Sequence, residues 1–437
     1  MSLDFGRVQR PGILLLLILL LHLFAWLFLH PIMPTGTGDD PEQYIRYANQ
    51  VFSPDFHLGF DQYQNRPGLY LPLSLFFKCF GVNAYSVSLL PLLLSLLTIL
   101  LTYLFLAKVA TPKVGLVASF LVAVNLEQVT YAMELYPDLP VAFYATAVTL
   151  GLYYAREKSD NKKRMGWMLP VFWFAGFLTK ETMLITVPFI LVVGGRDLLR
   201  KVHSDFWKPA LISSIVCLLL LGLLYYVLTG DPFHRLHSMR EFVSSKIDSD
   251  GVQAIDIRSH NSSFLPSWIN DSLYYLFILL IAIPVIGKSI SGGWSSWQSY
   301  LSRYAVYLLI FLSLLFYHPQ MGYVYMQSRH WMFIIAPLSA LAAYGSGYPE
   351  RKALLWMLMA LSCLLVCNYI SYGPTRGLLF GLFLVAGAGD YLFYHFKGRT
   401  LNFLLIPFFI LLVYFVEKNT NFRETNARRG EHAQSRN

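Results

Sequence analysis

Two adjacent carboxylates, Asp39 and Asp40, follow the first long apolar run of the chain, residues 13–29. Acidic side chains at a membrane boundary are costly to desolvate and commonly serve a chemical task. Asp40 precedes Pro41 and lies three residues before Gln43, a pattern typical of a helix N-cap. Capping explains Asp40 about as well as a catalytic role does, but it leaves Asp39 unexplained. Asp39 is therefore the better candidate for a general base.

Three cationic side chains border later apolar runs. Arg66 precedes an apolar stretch, where it either reaches lipid headgroups or offers a planar fork to a phosphate. Lys180 interrupts two half-length apolar segments together with Glu181, which favours an anionic partner such as a phosphate. Arg329 directly precedes another apolar span.

Two more acids lie in a short corner between apolar runs, residues 131–138. Asp138 follows Pro137 at a predicted helix start, where the helix dipole favours a negative charge. Glu134 has no comparable structural explanation. A corner that carries both acids could hold a cation or orient a polar acceptor.

The composition defines the class of protein that must position these groups. Of the 437 residues, 56% are hydrophobic and only 14% are charged, which predicts a polytopic membrane protein rather than a soluble domain. The net charge of +9 is attributed to basic loops, so no nucleic-acid partner is expected. About thirteen candidate spans are predicted: 13–29, 83–107, 114–130, 138–155, 166–179, 182–194, 209–228, 272–288, 304–317, 330–347, 353–372, 377–394 and 400–416.

Basic loops orient these spans. Lysine and arginine follow the second, fourth, sixth and tenth spans, which places those loops and the N-terminus in the cytoplasm. The candidate residues then share the exoplasmic face. We expect one transmembrane domain, 1–416, with exoplasmic loops 30–82 and 229–271, followed by a basic tail, 417–437. Residues 41–52 are predicted to form a helix in the interface plane.

The order of these pieces resembles the GT-C membrane glycosyltransferases, in particular the superfamily of protein mannosyltransferases and lipid A aminoarabinose transferases. The resemblance rests on five elements in order across residues 1 to about 347: Asp39-Asp40 with Tyr44, Arg66-Pro67 followed by Phe80-Gly81, Tyr136-Pro137-Asp138, Lys180-Glu181-Thr182, and Arg329 with Pro337. It implies an all-α, polytopic helix bundle of about 11–13 spans, with exoplasmic loops and interfacial helices.

The resemblance also implies a reaction. The donor would be a polyprenyl-phosphate sugar, and the acceptor would be a hydroxyl of a lipid, glycan or protein. Membrane lipids would surround the protein. Asp39 would act as general base with inversion at the anomeric carbon. Arg66, Lys180 and Arg329 would bind the donor phosphate, and Asp40, Glu134 and Asp138 would position the acceptor or a metal. A divalent cation is left open as cofactor, and a bacterial inner membrane with a periplasmic active site is expected.

Two other functions remain open from the sequence. A transporter or flippase of lipid-linked sugars also needs exoplasmic charges, although transporters more often place them near mid-membrane within repeats. A lipid-linked oligosaccharide ligase or polymerase would use an exoplasmic loop rich in Arg and His. Loop 229–271, with Arg235 and Arg240, partly fits that pattern.

Overall fold

Helices make up the regular structure of the part of the chain that the computed structural model describes, residues 11–29, 40–54, 56–241, 273–316 and 328–345. These residues all lie in one unit, Met1–Gly345, whereas a second unit, Ser346–Asn437, lies outside them. The α-helices are α1 (Pro11–Leu29), α2 (Asp40–Gln50), α3 (Pro67–Phe80), α4 (Ala84–Val109), α5 (Pro112–Ala123), α6 (Leu126–Met133), α7 (Asp138–Glu157), α8 (Lys162–Thr179), α9 (Val187–Leu199), α10 (Ser204–Thr229), α11 (Leu273–Ser289), α12 (Trp297–Phe316) and α13 (Ile335–Gly345).

Several predicted spans coincide with single helices. The predicted spans 83–107, 138–155 and 209–228 correspond to α4, α7 and α10. Local chemistry fixes the start of α4, where the Asn83 side chain accepts from the Ser86 N–H and the Ser86 hydroxyl accepts from the Asn83 N–H. This reciprocal cap satisfies backbone donors that the first turn leaves without partners.

Some predicted spans are not single regular α-helices. Segment 114–130 is divided into α5 and α6, which bend by 57°. Asn125 causes the restart, since its side chain accepts a hydrogen bond of 2.9 Å from the Gln128 N–H and thereby caps α6. Segment 182–194 begins as a 3-10 helix, Glu181–Thr186, before α9 continues it. Both segments still qualify as candidate spans, the first as a bent pair of helices and the second as Glu181–Leu199.

The described helices include candidate membrane spans. By length and apolar composition, three segments qualify within the described ranges: α4, Glu181–Leu199 and α10, with the bent pair α5–α6 as a fourth. The predicted total of 11–13 includes segments after residue 345, which lie outside the described residues. The apolar character of the described spans makes the chain an integral membrane protein.

Helix α2 corresponds to the helix predicted at 41–52, but its apolar stripe does not lie in the membrane interface. Tyr44, Tyr47 and Ala48 are buried, and the helix packs against α3. Its apolar face therefore contacts protein. The helix begins at Asp40 itself, so this residue lies in the first turn, where an acid is favoured by the helix dipole.

Charged side chains occupy both ends of α7. Asp138 at its start pairs with Lys180, and Arg156 near its end pairs with Asp197. Eighteen residues of α-helix separate the two acid–base pairs, a rise of about 27 Å. This separation approaches the thickness of a bilayer's hydrocarbon core, about 30 Å. The two ion pairs thus lie at opposite ends of α7, and the first lies at the end that the sequence predicts to be exoplasmic.

Candidate active site

The start of α3 lies against the end of α8. A Cβ on Gly68 would lie 2.7 Å from both the backbone nitrogen and the Oγ1 of Thr179. Only glycine permits this approach without a shift of backbone. The contact brings the loop that ends at Arg66 beside Lys180 and Glu181, which directly follow α8.

Replacing Gly68 by alanine is therefore expected to destabilise the protein by about 1–3 kcal/mol, because the added methyl group must displace the end of α8. Chemical or thermal unfolding in detergent measures this change. Gly195→Ala is the matched control, since a Cβ there meets nothing within 4 Å and α9 is helical. Equal stability of the two variants would show that the α3–α8 contact tolerates a side chain.

Glu181 bridges two arginines. Its Oε2 accepts from Nε and Nη2 of Arg66 at 3.1 and 2.9 Å, and its Oε1 accepts from Nη2 of Arg235 at 3.0 Å. The Glu181 side chain is 15% exposed, and both arginines are more buried. Each carboxylate oxygen thus holds a separate guanidinium in a poorly hydrated setting, where such bonds are strong.

Arg66 is largely committed to protein partners. Besides Glu181, it donates to the Tyr44 hydroxyl at 2.5 Å and to the Gln62 side chain at 3.3 Å. Burial alone would lower its pKa, but the charge of Glu181 and the hydrogen bonds to Glu181 and Tyr44 together outweigh this effect, and the pKa is raised. Burial raises the pKa of Tyr44, which therefore stays a neutral phenol. These bonds use four of the five guanidinium donors.

Arg235 connects the short helix 234–241 to the loop before α3 and to the end of α8. It donates to the carbonyl oxygens of Asn65 and Phe177, the latter at 2.5 Å, and its guanidinium lies over the Phe177 ring. The Asn65 amide in turn donates to the Ser238 hydroxyl at 3.1 Å. These hydrogen bonds hold the chain after α10 against the loop that precedes α3.

Lys180 pairs with Asp138. The Nζ to Oδ1 distance is 2.5 Å, and both side chains are largely buried. Lys180 has extended backbone geometry between α8 and the 3-10 helix, so its side chain turns toward α7 while that of Glu181 turns toward α3. Two successive residues of opposite charge therefore anchor to different helices.

Asp40 is linked to Arg66 through two tyrosines, Tyr63 and Tyr44. The Tyr63 hydroxyl donates to Asp40 Oδ1 at 2.6 Å, and the Tyr63 and Tyr44 rings pack edge to face. Burial, followed by the hydrogen bond to Asp40, raises the pKa of Tyr63. Similarly, burial and a hydrogen bond to Asp61 raise the pKa of Tyr47 to about 12. Both phenols are donors at neutral pH, and Asp40 is held as an acceptor.

The predicted site residues thus stand as follows. Arg66, Lys180 and Asp138 lie at one corner, and Asp40 joins it through Tyr63. Glu134 ends α6 and is exposed. Asp39 and the side chain of Arg329 lie outside the described residues.

The sequence reading missed two members of the cluster. Glu181 was noted only as a neighbour of Lys180, and Arg235 only as part of the ligase alternative. The signal for Glu181 was the break in the apolar pattern that it shares with Lys180. Arg235 gave no comparable signal, because it lies in a polar stretch of the sequence, 54 residues away from Glu181.

The resemblance allows Asp40, Glu134 and Asp138 to position either the acceptor or a metal. Within the described ranges, no group of three or more His, Cys, Asp or Glu side chains is arranged to hold a metal ion. Asp138 is instead paired with Lys180.

Comparison with known proteins decides the fold. Residues 66–226 match the family described as dolichyl-phosphate-mannose-protein mannosyltransferase. The structure of ArnT from Cupriavidus metallidurans bound to undecaprenyl phosphate superposes with a TM-score of 0.63 at 13% identity, covering 93% of this chain and 77% of that chain. The chain has the GT-C fold. The predicted all-α membrane bundle and its resemblance to the ArnT and protein-mannosyltransferase type are thereby confirmed.

A second solved relative supports this GT-C assignment. The archaeal oligosaccharyltransferase AglB from Archaeoglobus fulgidus, in complex with an inhibitory peptide and a dolichol-phosphate, has a TM-score of 0.53 at 14% identity. That match covers 87% of this chain and 56% of AglB. No curated protein matches the chain by sequence. The matched segment 66–226 contains Arg66, Asp138, Lys180 and Glu181 but ends before Arg235.

Proposed function

We propose that this GT-C protein transfers a sugar from a polyprenyl-phosphate donor to a hydroxyl of a lipid, glycan or protein acceptor. The reaction takes place at the exoplasmic face, which for a bacterial inner membrane is the periplasmic face. Asp39 removes the proton of the acceptor hydroxyl while that oxygen attacks the anomeric carbon, and the configuration inverts. The leaving group is the polyprenyl phosphate.

The observation that carries the proposal is the corner where Lys180–Asp138 adjoins Arg66–Glu181. It lies at the end of α8 that the basic loops place outside the cytoplasm. Nucleotide sugars are absent from that side, so a lipid-anchored donor with a phosphate leaving group suits the location. The fold match to ArnT, which is solved with undecaprenyl phosphate, agrees with this class of donor.

Among the cations, Lys180 is the better direct phosphate ligand. Arg66 donates four hydrogen bonds to Glu181, Tyr44 and Gln62, so its main role is to fix the positions of these side chains. Lys180 carries a compact charge on a flexible stem, which can turn from Asp138 toward a developing phosphate charge. Arg329 is proposed as a further phosphate ligand, on the basis of the resemblance.

One of the acids is assigned to proton transfer, and the others are assigned to positioning. Asp138 orients Lys180 and, with Asp40 and Glu134, is proposed to position the acceptor. Asp40 is held by Tyr63, which leaves Asp39 as the adjacent carboxylate assigned to proton transfer.

The test is direct turnover. The purified full chain, in detergent or nanodiscs, is incubated with a panel of synthetic polyprenyl-phosphate sugars and candidate acceptors. Mass spectrometry follows the release of free polyprenyl phosphate and the stereochemistry of the product. Release with inversion supports the proposal, whereas transport of the intact donor across vesicles without cleavage would support the flippase alternative.

Replacing Lys180 by methionine is expected to lower kcat about 100- to 1,000-fold, because a charge that stabilises the departing phosphate acts mainly in the transition state. KM should change far less. Lys78→Met is the matched control, since Lys78 is an exposed lysine on α3 whose ammonium lies over the Phe52 ring. If both variants kept the wild-type kcat, Lys180 would have no part in leaving-group stabilisation.

A further inference from the structure

A second group of cations lies at the other end of the bundle, around the indole of Trp294. The Cζ of Arg303 lies 4.4 Å from the centroid of that ring, and the Cζ of Arg196 lies 5.2 Å from it. Two guanidinium groups from different helices, α9 and α12, thus border one aromatic side chain. Such cation–π contacts hold arginines in place without neutralising them.

Neither arginine is fully satisfied by protein. Arg303 donates through Nη2 to the carbonyl oxygens of Ile290 and Gly292, at 2.8 and 2.6 Å, while its Nη1 is buried without a partner. Among the described side chains, no carboxylate lies within ion-pair distance of Arg303. The Nε of Arg196 is likewise buried without a partner.

The nearest acid is already occupied. Asp197 receives two bonds from Arg156, at 2.5 and 2.8 Å, and one from the Trp207 indole at 3.0 Å. Its contact with Arg196 is 3.5 Å long. Asp197 therefore compensates Arg156, and Arg196 and Arg303 keep unpaired donors that point to an anionic ligand.

The surroundings identify the ligand as a lipid. Arg196 belongs to the basic group after the sixth predicted span, which the positive-inside rule places in the cytoplasm. Leu198 and Leu199 at the end of α9 are 66% and 87% exposed, which suits contact with acyl chains. Tryptophan is also favoured at the headgroup level of a bilayer.

We propose that Arg196, Arg303 and Trp294 form a binding site for the phosphate of an anionic phospholipid from the cytoplasmic leaflet. The two guanidinium groups bond the phosphate oxygens, and the apolar end of α9 contacts the acyl chains. Basic pockets between membrane helices on the cytoplasmic side suit such headgroups. The site lies at the end of the bundle opposite Lys180 and does not depend on the proposed reaction.

Native mass spectrometry of the full chain, released from nanodiscs of phosphatidylglycerol and phosphatidylcholine in equal parts, tests this site. The wild type should retain phosphatidylglycerol preferentially, and the double variant Arg196→Gln/Arg303→Gln should retain about tenfold less. Lys113→Gln is the control, because it removes an exposed lysine from a predicted cytoplasmic loop without touching Trp294. Its retention should match that of the wild type.

Several outcomes would overturn the proposal. Equal retention of the two lipids by the wild type is one, and it needs no variant that might misfold. Equal retention of phosphatidylglycerol by the double variant and Lys113→Gln is another. If inorganic phosphate alone raised the unfolding temperature as much as phosphatidylglycerol does, the ligand would be a soluble anion and not a lipid.

Discussion

Asp39→Asn is expected to lower the rate of sugar transfer at least about 100-fold while leaving the protein folded. A positioned general base contributes about 10²–10⁴-fold, and asparagine cannot accept the proton of the attacking hydroxyl. The measurement is kcat for release of polyprenyl phosphate, with the unfolding temperature as the check on folding. Because KM reports mostly donor binding, it should stay near the wild-type value.

Asp40→Asn is the matched control for this prediction. Asparagine keeps an oxygen that can accept from Tyr63, so the contact that holds the first loop survives and the loss in kcat should stay below tenfold. Equal losses in the two variants would contradict the division of roles between the adjacent acids. Full turnover in Asp39→Asn, together with complete loss in Arg240→Ala, would favour the ligase alternative.

The largest expected effect on stability belongs to Asp197→Asn, at about 3–5 kcal/mol of unfolding free energy. Asp197 and Arg156 are both fully buried, and they join the end of α7 to α9. An amide turns one carboxylate oxygen into a donor that faces the Arg156 donors, so the guanidinium charge is left uncompensated. Thermal and chemical unfolding of the purified protein measure the loss.

Glu157→Gln provides the comparison. Glu157 also lies near Arg156, but at 3.6 Å and with 16% of its side chain exposed. A contact of 3.6 Å is too long for a strong hydrogen bond and should contribute less than about 1 kcal/mol, so this variant should unfold almost as the wild type does. If Asp197→Asn were equally mild, the buried pair would not be the contact that fixes α7 to α9.

Local pattern sufficed for much of the fold. Apolar runs predicted the ends of α4 and α7 closely and the end of α10, although α10 begins earlier than predicted, at Ser204. A membrane helix forms its backbone hydrogen bonds within one continuous stretch of sequence, so an apolar run is enough to predict it. Basic loops predict the orientation of the spans. The break at Lys180 and Glu181 was visible for the same reason, since charges between two apolar segments interrupt a local pattern.

The bend between α5 and α6 was not visible in the same way. Residues 114–130 are apolar enough to be taken for one span, and a single side chain, Asn125, restarts the helix. Asparagine is compatible with either a helix interior or a cap, and the choice depends on what packs around it. Hydropathy alone cannot make that choice.

By itself, the sequence determined that this chain is a membrane helix bundle of GT-C type. Only the tertiary structure decided which charges meet: Glu181 with Arg66 and Arg235, and Lys180 with Asp138. The physical reason lies in the range of the interactions. Hydrophobic periodicity is a property of neighbouring residues, whereas Glu181 and Arg66 are 115 positions apart and meet because Gly68 lets α3 approach α8.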